Sequence, residues 1–197
     1  ERLSLVEMFA RLDEGQLNTP SLCSAWTVRD VLAHLVTPKL VSNSDIAKQL
    51  LRKPSFSAAT VAWSEQVSRY SFDEQLAALR ATADDPFVPP LAGLAAPLTD
   101  GIIHGEDVRV PLGLHRDVPA EALRASLEFG MSWRAVPTFL PFRRLRGLRF
   151  VATDIDWEAG TGAVIEGPAQ QLALAIFGRI GAATNLTGEG VELLATR

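Results

Sequence analysis

Three residues of this chain have the types and spacing to hold a divalent cation. They are His34, within Trp26-Thr-Val-Arg-Asp-Val-Leu-Ala-His-Leu35, and Asp100 with His104, within Thr99-Asp-Gly-Ile-Ile-His-Gly-Glu-Asp107. On a helix, residues i and i+4 share a face with Cβ atoms about 5–6 Å apart, so Asp100 and His104 can reach one ion together. A third ligand from a neighbouring helix would complete a facial set and leave positions open for water or substrate, which separates a catalytic metal site from a closed structural one. His34 is the best candidate for that ligand. Two imidazoles and a carboxylate suit Zn first, with Ni, Fe or Co as alternatives, because selectivity among them rests on geometry and availability.

Each of these residues also has a plainer explanation. Asp100, His104 and Asp107 fall at i, i+4 and i+7, a polar stripe that equally suits the solvent face of an amphipathic helix. His34 alone reads as a histidine at the edge of a core, bonded to a carbonyl. Gly101 and Gly105 each cost a helix about 1 kcal/mol relative to Ala, so their place beside the stripe points to a close approach, either of a ligand or of a crossing helix. Asp107 is expected to support a ligand imidazole through a hydrogen bond, with ligation or a surface charge as the alternatives. Cys23 reads either as a nucleophile near the metal or, more commonly for a free cysteine, as a small buried hydrophobe. Arg143, Arg144, Arg146 and Arg149 form a solvated basic linker or an anion clamp. Arg179, among Gly and apolar residues in Phe177-Gly-Arg-Ile-Gly181, needs an anionic partner, a salt-bridge carboxylate or a substrate. His115 lies in a Gly-Leu-His-Arg-Asp loop and is expected to be solvated.

The elements that must position these groups follow from periodicity and stop signals. Leu3, Leu5, Val6, Met8, Phe9 and Leu12 predict a first helix over 2–16, broken by Asn18-Thr-Pro20. Thr27 and Asp30 stand in capping-box spacing and start a second helix at Val28, whose apolar stripe is Val28, Val31, Leu32 and Leu35, with His34 on its flank. Pro38 cannot donate to the carbonyl of residue 34, so a helix continuing to Leu51 should kink there. A third helical region covers 58–83 and restarts at Phe72 under a Ser71/Glu74 cap. A fourth helix runs from about Gly93 to Val110, ended by Pro111 and Gly113. Another, 120–131, is primed by Pro119. Beyond a Pro137–Pro141 linker, 148–154 and 163–166 read as strands joined across 157–162, 170–180 as a helix and 191–195 as a last strand. The fold class is therefore α+β: a helical body over 1–136, then a small α+β module over 137–197.

Composition narrows the function. A chain of 197 residues with 47% hydrophobic and 21% charged content can bury one ordinary core, or a medium domain and a small appendage. Net charge is −4, which disfavours a general nucleic-acid binder. The most apolar stretch, 87–103, is interrupted by prolines, glycines and Asp100, so no membrane span is expected. With one cysteine no internal disulfide forms, and a reducing cytoplasm is the default compartment. The chain opens at Glu1 without an initiator methionine, which leaves room for a trimmed leader or tag.

The stretches Ser21–Leu35 and Asp100–Gly113, and the tail from Trp157 to Gly190 with Gly178-Arg179 and Leu186-Thr-Gly188, resemble the mycothiol-dependent maleylpyruvate isomerase family over nearly the whole chain. The resemblance implies a DinB-like four-helix bundle, the helical metal-binding domain, followed by a small C-terminal α/β module like the sterol carrier proteins. It implies that His34, Asp100 and His104 bind a divalent metal and that Arg179 handles substrate as a catalytic residue. The family's glutamate is replaced by Asp100, one methylene shorter. The implied chemistry is an S-transferase or isomerase reaction: a metal-bound low-molecular-weight thiol such as mycothiol attacks a small electrophilic, carboxylate-bearing substrate, which Arg179 holds. Two alternatives stand beside it, a metal-dependent hydrolase on the same bundle and a non-enzymatic small-molecule-binding protein whose metal site has decayed. Expected partners are the small-molecule substrate and the thiol, with no nucleic acid and no membrane, and the chain is expected to act as a monomer or homodimer.

Overall fold

In the computed structural model, residues 1–23, 26–53, 56–88, 92–135 and 144–197 are described, together with the side chains of all of these except 43, 47, 50, 56, 57 and 60. The expected Pro137–Pro141 linker and Arg143 lie outside the described residues. The chain is mostly helical and ends in a small sheet, as the α+β reading requires. Helices α1 (Arg2–Phe9), α2 (Glu14–Leu17), α3 (Val28–Leu40), α4 (Asn43–Arg52), α5 (Phe56–Val67), α6 (Phe72–Ala81), α7 (Ala95–Arg109) and α8 (Ala120–Gly130) come first. A 3₁₀ turn at Trp133–Ala135, strands β1 (Leu148–Ala152), β2 (Glu158–Gly160) and β3 (Ala163–Gly167), and helices α9 (Ala169–Ile176) and α10 (Gly190–Ala195) follow. None of the described helices is long and apolar enough to cross a membrane.

The chain divides into two compact units, one of 1–87 with 104–114, the other of 88–103 with 115–197. The division falls inside the continuous helix α7. In the first unit α3 packs against α5 and α6, and α1 against α6. Leu5, Phe9, Val31, Leu32, Leu79 and Val108 share its core. Its helices start where short polar side chains replace missing intrahelical bonds. The Asp30 N–H donates to Thr27 Oγ1 at 3.3 Å, and the Thr27 N–H donates back to Asp30 Oδ2 at 2.8 Å. This cap, of a kind worth about 1 kcal/mol, fixes the register of α3 and so the direction of His34.

Three helix boundaries differ from expectation, and one is the helix expected over 170–180, which ends as α9 at Ile176. The first predicted helix stops at Phe9, because Asp13 and Gln16 form a reciprocal cap of their own and start α2. The second helix contains Pro38 but does not continue to Leu51: it ends at Leu40, Val41 turns extended, and Ser42 caps α4 through the Asp45 N–H.

The α6 cap carries a pH dependence. Hydrogen bonds from the Ser71 N–H, then from its hydroxyl, hold the Glu74 carboxyl below its ordinary value. A depressed folded value means that the cap contributes stability above the unfolded carboxyl range and loses it as pH falls through the lowered value. Urea unfolding between about pH 5 and pH 2 is therefore expected to show a shallower acid loss in Glu74→Gln than in the wild type.

In the second unit the sheet order is β2-β1-β3. β1 pairs antiparallel with β2, Arg149 opposite Gly160, and parallel with β3, Leu148 opposite Ala163. The stretch expected to join two strands thus contains a short strand itself, which sends β3 to the other side of β1. Gly160 has φ +86° and approaches the Leu148 carbonyl closely enough that a Cβ would overlap it, so only glycine suits this corner. Of the basic cluster, Arg149 pairs with Glu158 across β1 and β2 at 2.6 Å. The core here comprises Leu127, Leu148, Phe150, Ile165, Leu172 and Ile176.

The expected last strand, 191–195, is instead the helix α10. Its apolar residues are too few to fix a period by sequence alone. In the fold Leu194 is fully buried while Leu193 is 43% exposed. Gly190 lets the helix start close to the Ala163 and Val164 carbonyls, where a Cβ would stand 2.8 and 2.9 Å away.

Candidate metal centre

The loop leading into α3 brings Cys23 and Trp26 to the end of α7. It folds on itself through Ser21 N–H to the Trp26 carbonyl at 2.9 Å and Trp26 N–H to the Cys23 carbonyl at 2.8 Å. The Leu22 N–H then donates to the Asp107 carbonyl at 3.1 Å, occupying one of the carbonyls that the end of a helix leaves without an intrahelical donor. His34 is half-buried on α3 between fully buried neighbours, as its place on the flank of the apolar stripe predicts.

His104 is buried and Asp107 fully so. His104 Nδ1 lies 2.8 Å from Asp107 Oδ2, and the Cys23 thiol donates to the same Oδ2 at 3.1 Å. A buried carboxylate is costly unless hydrogen-bonded, and these two groups, both from the ligand neighbourhood, satisfy Asp107. An ionised carboxylate oxygen can only accept, so the bond places the imidazole proton on Nδ1 and leaves the Nε2 lone pair to offer. This is the arrangement that orients metal-ligating histidines and raises their basicity.

Along the continuous helix α7, Asp100 precedes His104 by one turn. One donor atom from each of His34, Asp100 and His104 lies within 4.8 Å of the other two. The shorter carboxylate at 100 therefore does not take that ligand out of reach. The imidazole rings of His34 and His104 meet edge to face, with centroids 4.6 Å apart. Trp26 stacks at a tilt against both, 5.0 Å from His34 and 6.0 Å from His104. The indole fixes the planes of the two rings and covers them with apolar surface. Two neutral imidazoles and a carboxylate in this proximity, one imidazole already oriented from its far nitrogen, fit a divalent cation with open coordination positions.

The remaining candidates have partners of their own. Arg179 follows α9 in the second unit, half-buried, with Nη1 donating to the Phe177 carbonyl at 2.6 Å. His115 is exposed and paired with Asp117 at 3.0 Å. Gly105 is explained by a close approach within the first unit: a Cβ there would stand 2.5 Å from Arg109 Nη1 and 3.1 Å from Leu5 Cδ2. Sequence reasoning passed over Trp26 as a wall of the site and the buried Glu106–Arg109 pair, 3.3 Å apart. The signal for Trp26 was its position at the head of the Trp-Thr-Val segment, just before the helix that carries His34.

Asp107→Asn replaces the accepting Oδ2 or turns an amide donor toward Nδ1 and the thiol. Loss of such a supporting partner typically weakens metal binding 10- to 100-fold, and that is the drop in Zn affinity expected here by competition with a chromogenic chelator.

Comparison with known families shows that residues 2–109 match the family described as Mycothiol maleylpyruvate isomerase N-terminal domain. The matched segment runs from α1 to the end of α7 and contains every residue of the centre. No curated protein and no solved structure matches the chain.

Proposed function

The chain belongs to the mycothiol maleylpyruvate isomerase N-terminal domain family, and from that membership and the geometry of the centre we propose that it is a metal-dependent enzyme acting with a low-molecular-weight thiol of the mycothiol type. The observation that carries this reading is the convergence of His34, Asp100 and His104 donor atoms within 4.8 Å. The proposed ligands are His34, Asp100 and His104, and the proposed metal is Zn, with Ni, Fe or Co as substitutes. A divalent ion held there supplies the Lewis acidity that keeps a coordinated thiol deprotonated at neutral pH.

The residues of the chain do the rest. Asp107 holds the His104 proton on Nδ1 and so keeps Nε2 facing outward as a donor. Trp26 excludes water from one side of the imidazoles, which strengthens the electrostatics of the site. Arg179, carried over from the family resemblance, is assigned to the carboxylate of the substrate, where a planar guanidinium can bind bidentately. The substrate class is a small α,β-unsaturated carboxylate or comparable electrophile. In an isomerisation the thiolate sulfur would bond to one alkene carbon as the alkene electron pair passes to the conjugated carbonyl as an enolate, the former double bond would rotate, and return of the pair would re-form the alkene and expel the thiolate. In an S-transfer the carbon–sulfur bond is kept and a proton from solvent completes the adduct.

The test is thiol-dependent conversion of a panel of unsaturated dicarboxylates by metal-replete enzyme. Conversion that needs both thiol and metal, and that His34→Ala loses, supports the proposal. Conversion unchanged in chelator-treated His34→Ala contradicts it. Metal-dependent cleavage of an ester or amide panel without any thiol would instead identify a hydrolase, with bound water in place of the thiol.

A further inference from the structure

His104 belongs to a second group of converging donor atoms, with Cys23 and Asp107, all three within the first unit. On the Nδ1 side, Asp107 Oδ2 lies 2.8 Å away and Cys23 Sγ 4.0 Å away, with 3.1 Å between the sulfur and the carboxylate oxygen. One donor atom from each of these three residues lies within 4.8 Å of the other two, so the set has the size of a cation's coordination shell. For a tetrahedral ion with metal–sulfur bonds of about 2.3 Å and metal–nitrogen or metal–oxygen bonds of about 2.0–2.2 Å, the ligand atoms stand roughly 3.4–3.6 Å apart. The two separations that involve the sulfur are within about half an ångström of that spacing, and the hydrogen-bonded nitrogen–oxygen pair at 2.8 Å would have to open by roughly 0.6–0.8 Å to admit an ion. A thiolate and a carboxylate together neutralise a divalent ion, which removes the cost of burying net charge beside the fully buried Asp107. Cys23 is only half-buried, so an ion has an approach from the sulfur side.

We propose that Cys23, His104 Nδ1 and Asp107 form a second cation site, selective for a thiophilic ion of the Cd(II) type and alternative to the site at His34, Asp100 and His104. The donor set carries the selectivity: a soft thiolate replaces one of the two imidazoles. Binding balances as follows. The Cys23 thiol loses its proton to solvent, and the metal–sulfur bond takes the place of the thiol–carboxylate hydrogen bond. The His104 proton leaves Nδ1 and the neutral ring carries it on Nε2. His104 belongs to both sets of donor atoms, so the two sites compete for one imidazole. Cation binding at Cys23, His104 and Asp107 does not depend on the thiol chemistry proposed above.

The chain contains one cysteine, so any thiolate-to-metal charge-transfer band must come from Cys23. Cd(II) titration of the full chain is expected to raise that ultraviolet band to saturation at one ion per chain. The band should persist in His34→Ala, vanish in Cys23→Ser, and require at least tenfold more Cd(II) in Asp107→Asn. X-ray absorption of the wild-type Cd(II) complex supplies a readout that needs no variant, with one sulfur among nitrogen and oxygen neighbours as the expected shell. Absence of the band in the wild type, undiminished affinity in a folded Asp107→Asn, or two sulfurs per Cd(II), which would place the ion between two chains, would each overturn the proposal.

Discussion

His104→Ala is expected to remove metal retention and thiol-dependent turnover together while leaving the chain folded. His104 is the one residue common to both sets of converging donor atoms, with Nδ1 2.8 Å from Asp107 Oδ2 and 4.0 Å from Cys23 Sγ. Losing a directly bound ligand should exceed the 10- to 100-fold that loss of a supporting partner costs. Activity should therefore fall to the level of the metal-depleted wild type, and added metal should not restore it. The side chain also covers part of the core edge, so some loss of stability accompanies the substitution. The stability of metal-free protein, compared before and after substitution, separates that contribution from loss of the ion. A metal-replete His104→Ala with near wild-type turnover would exclude the centre as the seat of the chemistry.

Glu106→Leu is expected to be the most damaging change to stability in the same helix. Glu106 and Arg109 are both buried, 6% and 3% exposed, and paired at 3.3 Å. Arg109 also donates to Ser4 Oγ at 3.3 Å, which ties the end of α7 to α1. Removing one partner of such a pair strands the other charge away from water, at a cost of about 3–5 kcal/mol. Urea unfolding should show that loss in Glu106→Leu. The double variant Glu106→Leu with Arg109→Met should recover much of it, since buried pairs replaced by apolar groups of similar volume are often no less stable. A single variant within about 0.5 kcal/mol of wild type, the range of ordinary surface substitutions, would show that the pair is solvated in solution.

The contrast between Glu106 and His104 shows what the sequence could carry. Capping boxes are local, so Thr27 with Asp30 and Ser71 with Glu74 could be read at a distance of three residues, and they set the starts of α3 and α6 correctly. The i, i+4 relation of Asp100 and His104 was likewise readable, because it needs only a helix. The Asp13 and Gln16 cap has the same local form, but it was hidden in a hydrophobic pattern that seemed to continue past it. Burial is not local. An i, i+3 pair such as Glu106 and Arg109 looks like a solvated helix pair until α1 is known to lie across it. The thiol of Cys23 reaches Asp107 only because Leu22 donates its N–H to the Asp107 carbonyl and the Trp26 N–H donates to the Cys23 carbonyl. The parallel pairing of β1 with β3 depends in the same way on β2, whose three residues were too few to signal a strand. Trp26 was visible as part of a motif, yet its role against the two imidazoles appears only when the helices pack.

The most direct test of the account is metal content by plasma mass spectrometry in wild type, His34→Ala and His104→Ala, all purified without chelators or metal-affinity resin. The account predicts near one divalent ion per chain in the wild type and close to none in either variant. Wild-type protein that stays empty after repletion with Zn, Ni, Fe and Co would contradict it. So would His34→Ala that keeps a full equivalent of Zn, because the ion would then be held by the Cys23, His104 and Asp107 set and not by the centre assigned to the chemistry.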